Sequence, residues 1–274
     1  MIAGAIKPLI DKSLFIIREA LARFENLAVL WSTGKDSTAC LDLIRLANFG
    51  KIPIPVIHID TGHKFPEIYE FRDRIAREWG FELIVWRRET EVDWKDGRLK
   101  CCQERKTEAL KEVIRKYGFD AIIVAIRRDE HGIRMKERYF SPRDDYFRWR
   151  PLEQELELGG WGLFFTEFEG ASHVRVHPML HWTELDVWRY IKERNLPFNP
   201  LYRADYVRER YGLDGFRYRS LGCMPCTLPV KSNASTIDEI IEELKRTKEA
   251  ERSGRAQDKE DEYAMERLRA LGYL

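Results

Sequence analysis

The sequence lacks an excess of either charge: 47 lysine and arginine residues balance 46 aspartate and glutamate residues over 274 positions. No global field draws the protein toward nucleic acid or an anionic membrane, so any anion recognition has to be local. Apolar runs are short. None approaches the roughly 20 residues of a membrane span, and the start, Met1-Ile2-Ala3-Gly4-Ala5-Ile6-Lys7, lacks the basic-then-apolar pattern of a secretory signal. The expected localisation is cytoplasmic, with no membrane association and with nucleic acid disfavoured as a partner. Cysteine is scarce. The five residues form an adjacent pair, a Cys-x-x-Cys and one singleton, and none follows Cys226. In a reducing compartment this arrangement argues for metal or redox chemistry rather than structural disulfides. The Gly-x-x-x-x-Gly-Lys spacing of a Walker loop is also missing.

What is present is a regular alternation of helical and continuous apolar segments. Leu9 to Phe24 has the apolar period of an amphipathic helix, and Leu27 to Trp31 reads as a buried strand. Helices are predicted over Ser37 to Leu46, Phe65 to Trp79 and Gln103 to Tyr117, with strands over Ile54 to Ile59, Glu82 to Trp86 and Ala121 to Ile126. Such alternation implies parallel βαβ units and an α/β fold built on a doubly wound, mostly parallel sheet. From Arg127 to Arg150 the periodicity fails, which predicts a long functional loop. A strand pair, Leu163 to Phe168 and His173 to His177, should precede a helix capped by Thr183. Further helices are expected at Ile237 to Arg246 and Asp261 to Leu271, around a charged linker, Lys248 to Glu260. The predicted organisation is a nucleotide-binding α/β domain over residues 1–200. A smaller, helical C-terminal region over 201–274 carries the Cys-x-x-Cys.

Three groups of residues carry candidate chemistry. Ser32-Thr33-Gly34-Lys35-Asp36-Ser37 lies between a predicted strand and helix, where orphan backbone N–H groups and the helix dipole favour an anion. Gly34 permits close backbone approach, Lys35 supplies charge, and the Ser32 and Ser37 hydroxyls can donate to phosphate oxygens. Taken alone, the hexapeptide reads more readily as a turn with an Asp or Ser helix cap, and the other segments overturn that reading. Asp60-Thr61-Gly62 follows the second strand at its carboxyl end, where open parallel sheets bind ligands, and His58 and His63 flank it as candidate nucleotide contacts. Arg127, Arg128, Arg134, Lys136 and Arg138 follow the fourth strand and form a candidate anion cluster, each arginine also being suited to a plain ion pair with Asp129, Glu130 or Glu137.

In order along the chain, these segments resemble the ATP-pyrophosphatase (PP-loop) superfamily, whose Ser-Gly-Gly-x-Asp-Ser loop is matched by Ser32 to Ser37 with Thr33 in a glycine position. Within it the resemblance is to the phosphosulfate reductase group, and most closely to the small catalytic subunits of bacterial ATP sulfurylases. It extends through His58 to Phe65, Tyr69 to Asp73, Lys116 to Ala121, Arg127 to Glu130, Lys136 to Arg138, Trp182 to Glu184, Leu221 to Cys223, Ser232 to Ala234 and Glu251 to Arg255. The resemblance implies an adenine-nucleotide alpha hydrolase-like fold and an Asp60-Thr61-Gly62 turn that frames adenine and ribose. It further implies adenylylation of sulfate by ATP with Mg2+ on the phosphates, and a GTPase large subunit as partner; a homo-oligomer is the other assembly considered. Catalytic roles fall on Lys35, Arg127 and Arg128.

The cysteines depart from that group. Cys101, Cys102, Cys223 and Cys226 resemble the adenylylsulfate reductase pattern that ligates a [4Fe–4S] cluster. Zinc, a Cys-x-x-Cys redox pair and plain buried thiols are the alternatives, although adjacent cysteines fit a compact tetrahedral zinc site poorly. Reductase chemistry needs a nucleophilic thiol, which that group carries on a Glu-Cys-Gly-Leu-His tail, and no cysteine beyond Cys226 offers one. The preferred expectation is therefore sulfate adenylylation. The alternatives are a sulfonucleotide reductase using a thiol supplied in trans, a cluster-bearing sulfur-transferase that adenylates another acceptor, and a non-enzymatic nucleotide-binding module.

Overall fold

The computed structural model describes residues 6–149 and 170–247, together with Gly4, Thr166, Phe168, Glu251, Arg267, Leu268, Leu271 and Gly272. Six strands form one sheet: β1 (Leu27–Leu30), β2 (Val56–Ile59), β3 (Leu83–Trp86), β4 (Ala121–Val124), β5 (Phe140–Arg143) and β6 (His173–Val176). Their order is β3-β2-β1-β4-β6-β5. The first five in that order run parallel, with β1 flanked by β2 and β4, and only β5 is antiparallel, against β6. Both β1 and β4 are buried along their length, as the continuous apolar runs Leu-Ala-Val-Leu and Ala-Ile-Ile-Val require of strands covered on both faces.

The helices α1 (Lys7–Arg23), α2 (Lys35–Ala47), α3 (Pro66–Trp79) and α5 (Ala109–Tyr117) fall where the apolar periodicity places them. α2 is buried almost all round, and its one mid-helix carboxylate, Asp42, is satisfied by the Tyr190 hydroxyl at 2.8 Å and Arg194 Nε at 2.9 Å. α3 and α5 both stop at a left-handed glycine, Gly80 and Gly118. α6 (Glu184–Arg194) begins with the expected Thr183 cap, closed reciprocally by Asp186 as a capping box. α7 (Ala204–Tyr211) and α8 (Ile237–Arg246) follow, and α8 packs on α6. A short hairpin, β7 (Phe216–Arg217) with β8 (Val230–Lys231), carries the Cys-x-x-Cys loop between its strands.

The structure revises three expectations. The segment from Arg127 to Arg150 is not one loop, because it contains β5, which pairs Pro142 with Val174. A four-residue strand with a proline at its centre leaves almost no period-two signal, and it is tolerated because β5 lies at the sheet edge. The strand partner of His173 to Val176 is thus β5, whereas Leu163 to Phe168 lies outside the described residues apart from Thr166 and Phe168. The expected helix Asp261 to Leu271 is likewise largely outside them, as is the linker except Glu251. The predicted helix Gln103 to Tyr117 starts earlier, with α4 (Arg98–Cys102), and passes through a π-helical stretch, Gln103–Glu108, before α5. Such stretches concentrate at functional sites. No helix among the described residues is long and apolar enough to cross a membrane.

Candidate functional site

The strand order reverses between β1 and β4, so the crevice beyond their carboxyl ends is the ligand position for a sheet of this kind. A cavity of about 180 Å³ opens there. Its walls come from the end of β1 and the loop after it (Ser32, Gly34, Lys35, Asp36, Ser37), from Ile59 and Lys64 after β2, and from Ala125 and Ile126 after β4. Tyr202, Glu251 and Cys102 close it.

The loop is shaped by an unusual backbone. Thr33 has φ 67°, a left-handed conformation that β-branched residues rarely adopt, and its buried hydroxyl makes no hydrogen bond among the described residues. Strain of this kind persists where the surroundings over-determine it. Thr33→Gly is expected to raise stability by about 1 kcal/mol, read as a higher urea midpoint; a lower midpoint would show that the threonine is not strained. After the loop, the Lys35 backbone N–H donates to the Tyr202 hydroxyl at 3.0 Å, and the Ser32 and Ser37 hydroxyls lie 3.1 Å apart.

Charge in the site is organised around two fully buried cations. Lys35 Nζ is bound to Glu251 Oε1, stands 3.7 Å from Glu184 and 3.4 Å from Asp36, and donates to the Arg219 carbonyl at 3.3 Å. Arg127 pairs with Asp36, with Asp129 at 2.9 Å and with the second oxygen of Glu251. Arg219 holds Glu184 at 2.7 Å, and the Glu184 backbone N–H donates to Asp129 at 2.8 Å. Burial opposes the charge on Lys35, but Glu251 and Glu184 outweigh it and hold its pKa above the ordinary lysine range. Burial likewise opposes the Glu251 charge, and Arg127 and Lys35 overcome it, keeping the carboxyl well below its usual range.

The second predicted element, Asp60-Thr61-Gly62, does not line the cavity but lies in the chain between two residues that do, Ile59 and Lys64. Burial disfavours the Asp60 carboxylate, yet donors from the Gly62 N–H (2.8 Å), the Tyr69 hydroxyl (2.8 Å) and Arg87 Nε (3.0 Å) hold its pKa below the ordinary value. The same turn meets the cysteines. Thr61 Oγ1 lies 3.1 Å from Cys223 Sγ, the Met224 N–H donates to the His63 carbonyl at 2.7 Å, and Arg105, on the π-helical stretch, donates to the Thr61 carbonyl at 3.2 Å.

All five cysteines are buried and free of disulfides. Burial, reinforced by Cys102, Cys223 and Cys226, pushes the Cys101 thiol up to about 12, with Arg105 opposing. Cys226 is also raised by burial and by Cys102 and Cys223, against Lys106 and Arg98. The two pairs thus share one neighbourhood, faced by three cations. Among the described residues no three or more His, Cys, Asp or Glu donors converge on a single metal position. The four thiols share burial and nearby cations that would offset ligand charge, but as placed they do not converge on one metal position. Cys40, on α2, is a core residue whose thiol burial pushes up to about 12.

The remaining predicted residues scatter. Arg134 lines the cavity and pairs with Glu130. Arg128 turns elsewhere, donating to the Glu137 carbonyl at 3.2 Å over the Tyr139 ring. Arg138 is buried outside the cavity walls, and its carbonyl lies 2.8 Å from His177 Nδ1. The side chain of Lys136 lies outside the described residues. Sequence reasoning gave Glu184 only a place in a matching segment and in the first turn of the Thr183-capped helix, and Glu251 only a place in a matching segment. It passed over Tyr202 and Arg219, for which no local signal exists.

His58, a candidate nucleotide contact, is instead buried in the sheet with Nδ1 3.0 Å from the Trp31 carbonyl. Burial lowers its pKa to about 3, and likewise lowers His173 to about 2 and His177 and His181 to about 4. The unfolded chain protonates these imidazoles below about 6.5, whereas the folded chain does not until near those lower values. Stability should therefore fall as pH drops below 6.5, each imidazole contributing up to ~1.4 kcal/mol per pH unit. Thermal melts from about pH 7 to about pH 5 check this, and a constant midpoint would exclude it.

The phosphoadenosine phosphosulfate reductase domain matches residues 26–229. Sulfate adenylyltransferase subunit 2 of Pseudoalteromonas translucida is 40% identical, with 96% of each chain covered. The protein of the same name from Zymomonas mobilis is 41% identical over 98% of this chain and 97% of its own. Among solved structures, a phosphoadenylyl-sulfate reductase from Candida auris superposes with a TM-score of 0.54 at 18% identity, covering 81% of this chain and 96% of that one. Candida glabrata FMN adenylyltransferase superposes at 0.58 and 17% identity over 100% and 91%. These two show the same α/β fold. With a domain match over residues 26–229 and relatives of about 40% identity along nearly its whole length, the chain belongs to the phosphoadenosine phosphosulfate reductase domain family, in the branch of the sulfate adenylyltransferase subunit 2 proteins.

Proposed function

We propose that this chain adenylylates sulfate: ATP and sulfate give adenylylsulfate and pyrophosphate. The observation that carries the reading is the placement of Lys35 and the loop amides at the switch point of the sheet, in a chain that matches sulfate adenylyltransferase subunit 2 proteins from end to end. A sulfate oxygen attacks the α-phosphorus, the bond to the β-phosphate oxygen breaks, and the electron pair leaves with pyrophosphate. No covalent enzyme intermediate is needed, so positioning and charge stabilisation suffice. Lys35, Arg127 and the loop N–H groups take the phosphates and the leaving pyrophosphate, the Asp60-Thr61-Gly62 turn takes the nucleoside, and Arg134 faces the sulfate side. Mg2+ enters on the phosphates of ATP.

The reaction is uphill, and relatives named as a subunit 2 imply a larger partner subunit. We assign that partner the coupling of GTP hydrolysis to adenylylation. A reductase reading is disfavoured by burial of all five thiols, none of which stands exposed as a nucleophile. We further assign Cys101, Cys102, Cys223 and Cys226 to a [4Fe–4S] cluster, with zinc as the alternative occupant. The cluster would supply a redox-sensitive anchor beside the nucleotide turn. The purified protein with its partner, GTP and Mg-ATP should release pyrophosphate only when sulfate is added; release without sulfate, or none with it, rejects the assignment.

A further inference from the structure

Among the described residues, the cations at the heart of the loop that should receive a highly anionic triphosphate are already matched by carboxylates. Lys35, Arg127 and Arg219 meet Asp36, Asp129, Glu184 and Glu251. Three of those carboxylates belong to the framework. Asp36 is in the first turn of α2, Glu184 opens α6 and is held by Arg219, and Asp129 accepts from the Glu184 backbone. Glu251 differs. It comes from the chain beyond α8, lines the cavity, and places one oxygen on Lys35 and the other on Arg127. Two oxygens of one anionic group spanning a lysine and an arginine at a helix N-terminus reproduce what two phosphate oxygens would do there.

We propose that Glu251 is an internal occupant of the phosphate subsite, and that nucleotide binding proceeds by exchange of its carboxylate for a phosphate on Lys35 and Arg127. The exchange conserves the number of charge-assisted contacts, so neither cation is left buried and unpaired during the swap. It also sets affinity: every phosphate that binds must first displace a buried ion pair, which weakens anion binding relative to a loop without the carboxylate. The inference rests on the phosphate-site reading of the loop, and it goes beyond that reading by assigning a competitor carried on the chain itself.

Titration calorimetry of the full chain with Mg-pyrophosphate and with adenosine tests it. Glu251→Gln keeps the shape of the side chain and removes its charge. The expected result is a Kd for Mg-pyrophosphate at least roughly tenfold lower than wild type, the scale of one charged contact, with adenosine affinity unchanged because adenosine carries no phosphate. Glu251→Asp, which keeps the charge on a shorter stem, should fall between the two and guards against a glutamine variant that folds poorly. Equal or weaker pyrophosphate binding by Glu251→Gln overturns the inference while leaving the loop as a phosphate site. Tighter binding of adenosine as well would mark a general loosening and overturns it too. Absence of pyrophosphate binding in every form removes the phosphate-site reading and this inference with it.

Discussion

Lys35→Ala is expected to cut sulfate-dependent pyrophosphate release by at least about 100-fold, the loss that follows removal of one preorganised charge donor at a developing anion. The expectation follows from position. Lys35 Nζ is fully buried and lies at the centre of the network formed by Glu251, Glu184 and Asp36, where, among the described residues, it is the one lysine. Lys35→Arg should not restore the activity, because a planar guanidinium on a longer stem does not reproduce a point charge in a buried site. The alanine substitution has a second effect of opposite origin. It leaves Glu251 with Arg127 alone and adds a net negative charge to a buried cluster, for which a cost of about 3–5 kcal/mol is typical. Melting curves and adenosine binding therefore accompany the rate measurement. A folded Lys35→Ala protein that binds adenosine and retains activity within about tenfold of wild type would show that the leaving pyrophosphate is held elsewhere.

The second large effect concerns the thiols. Cys102→Ser and Cys226→Ser are each expected to reduce iron and acid-labile sulfide from the full complement of a [4Fe–4S] cluster, held by thiolates alone, to near zero. Visible absorbance should go with them in anaerobically prepared protein. Each substitution removes one donor from the two pairs that α4 and the β7–β8 hairpin bring together, and an incomplete thiolate set holds a cluster poorly. Cys40→Ser is the control, since Cys40 lies in the core on α2 and belongs to neither pair. It should leave the metal content unchanged. Zinc in place of iron in the wild-type protein would reject the cluster and select the alternative occupant. Nucleotide binding should also weaken when the centre is lost, because Thr61 contacts Cys223 and the His63 carbonyl accepts from Met224. Unaltered nucleotide affinity in the metal-free variants would show that the turn holds its shape without the centre.

Most of the sheet was legible because its strands are apolar on both faces and its helices carry a strong period. Leu27–Leu30, Val56–Ile59, Leu83–Trp86 and Ala121–Val124 all fall inside the predicted runs. β5 was not legible, since a four-residue edge strand containing a proline is specified by its pairing to β6 rather than by local pattern. Among the candidate residues, those adjacent to a strand end were well placed: Ser32 to Ser37 and Asp60 to Gly62 sit at the carboxyl edge because chain geometry puts them there. The arginines after β4 were not equivalent, although they stand side by side in the chain. Arg127 turns into the loop network while Arg128 lies over Tyr139, because successive residues leave the chain in different directions.

The α/β alternation, the place of the loop, the turn after β2 and the two cysteine pairs could each be read from the chain, since each depends on residues close together in it. Which distant groups meet at the loop could not. Tyr202 on the Lys35 N–H, Glu184 and Arg219 beside its ammonium group, and Glu251 across Lys35 and Arg127 are brought in by packing over separations far longer than any local pattern spans. Their presence is enforced by electrostatics: two cations buried at the end of a sheet require carboxylates from somewhere, and the fold, not the local pattern, selects which ones arrive.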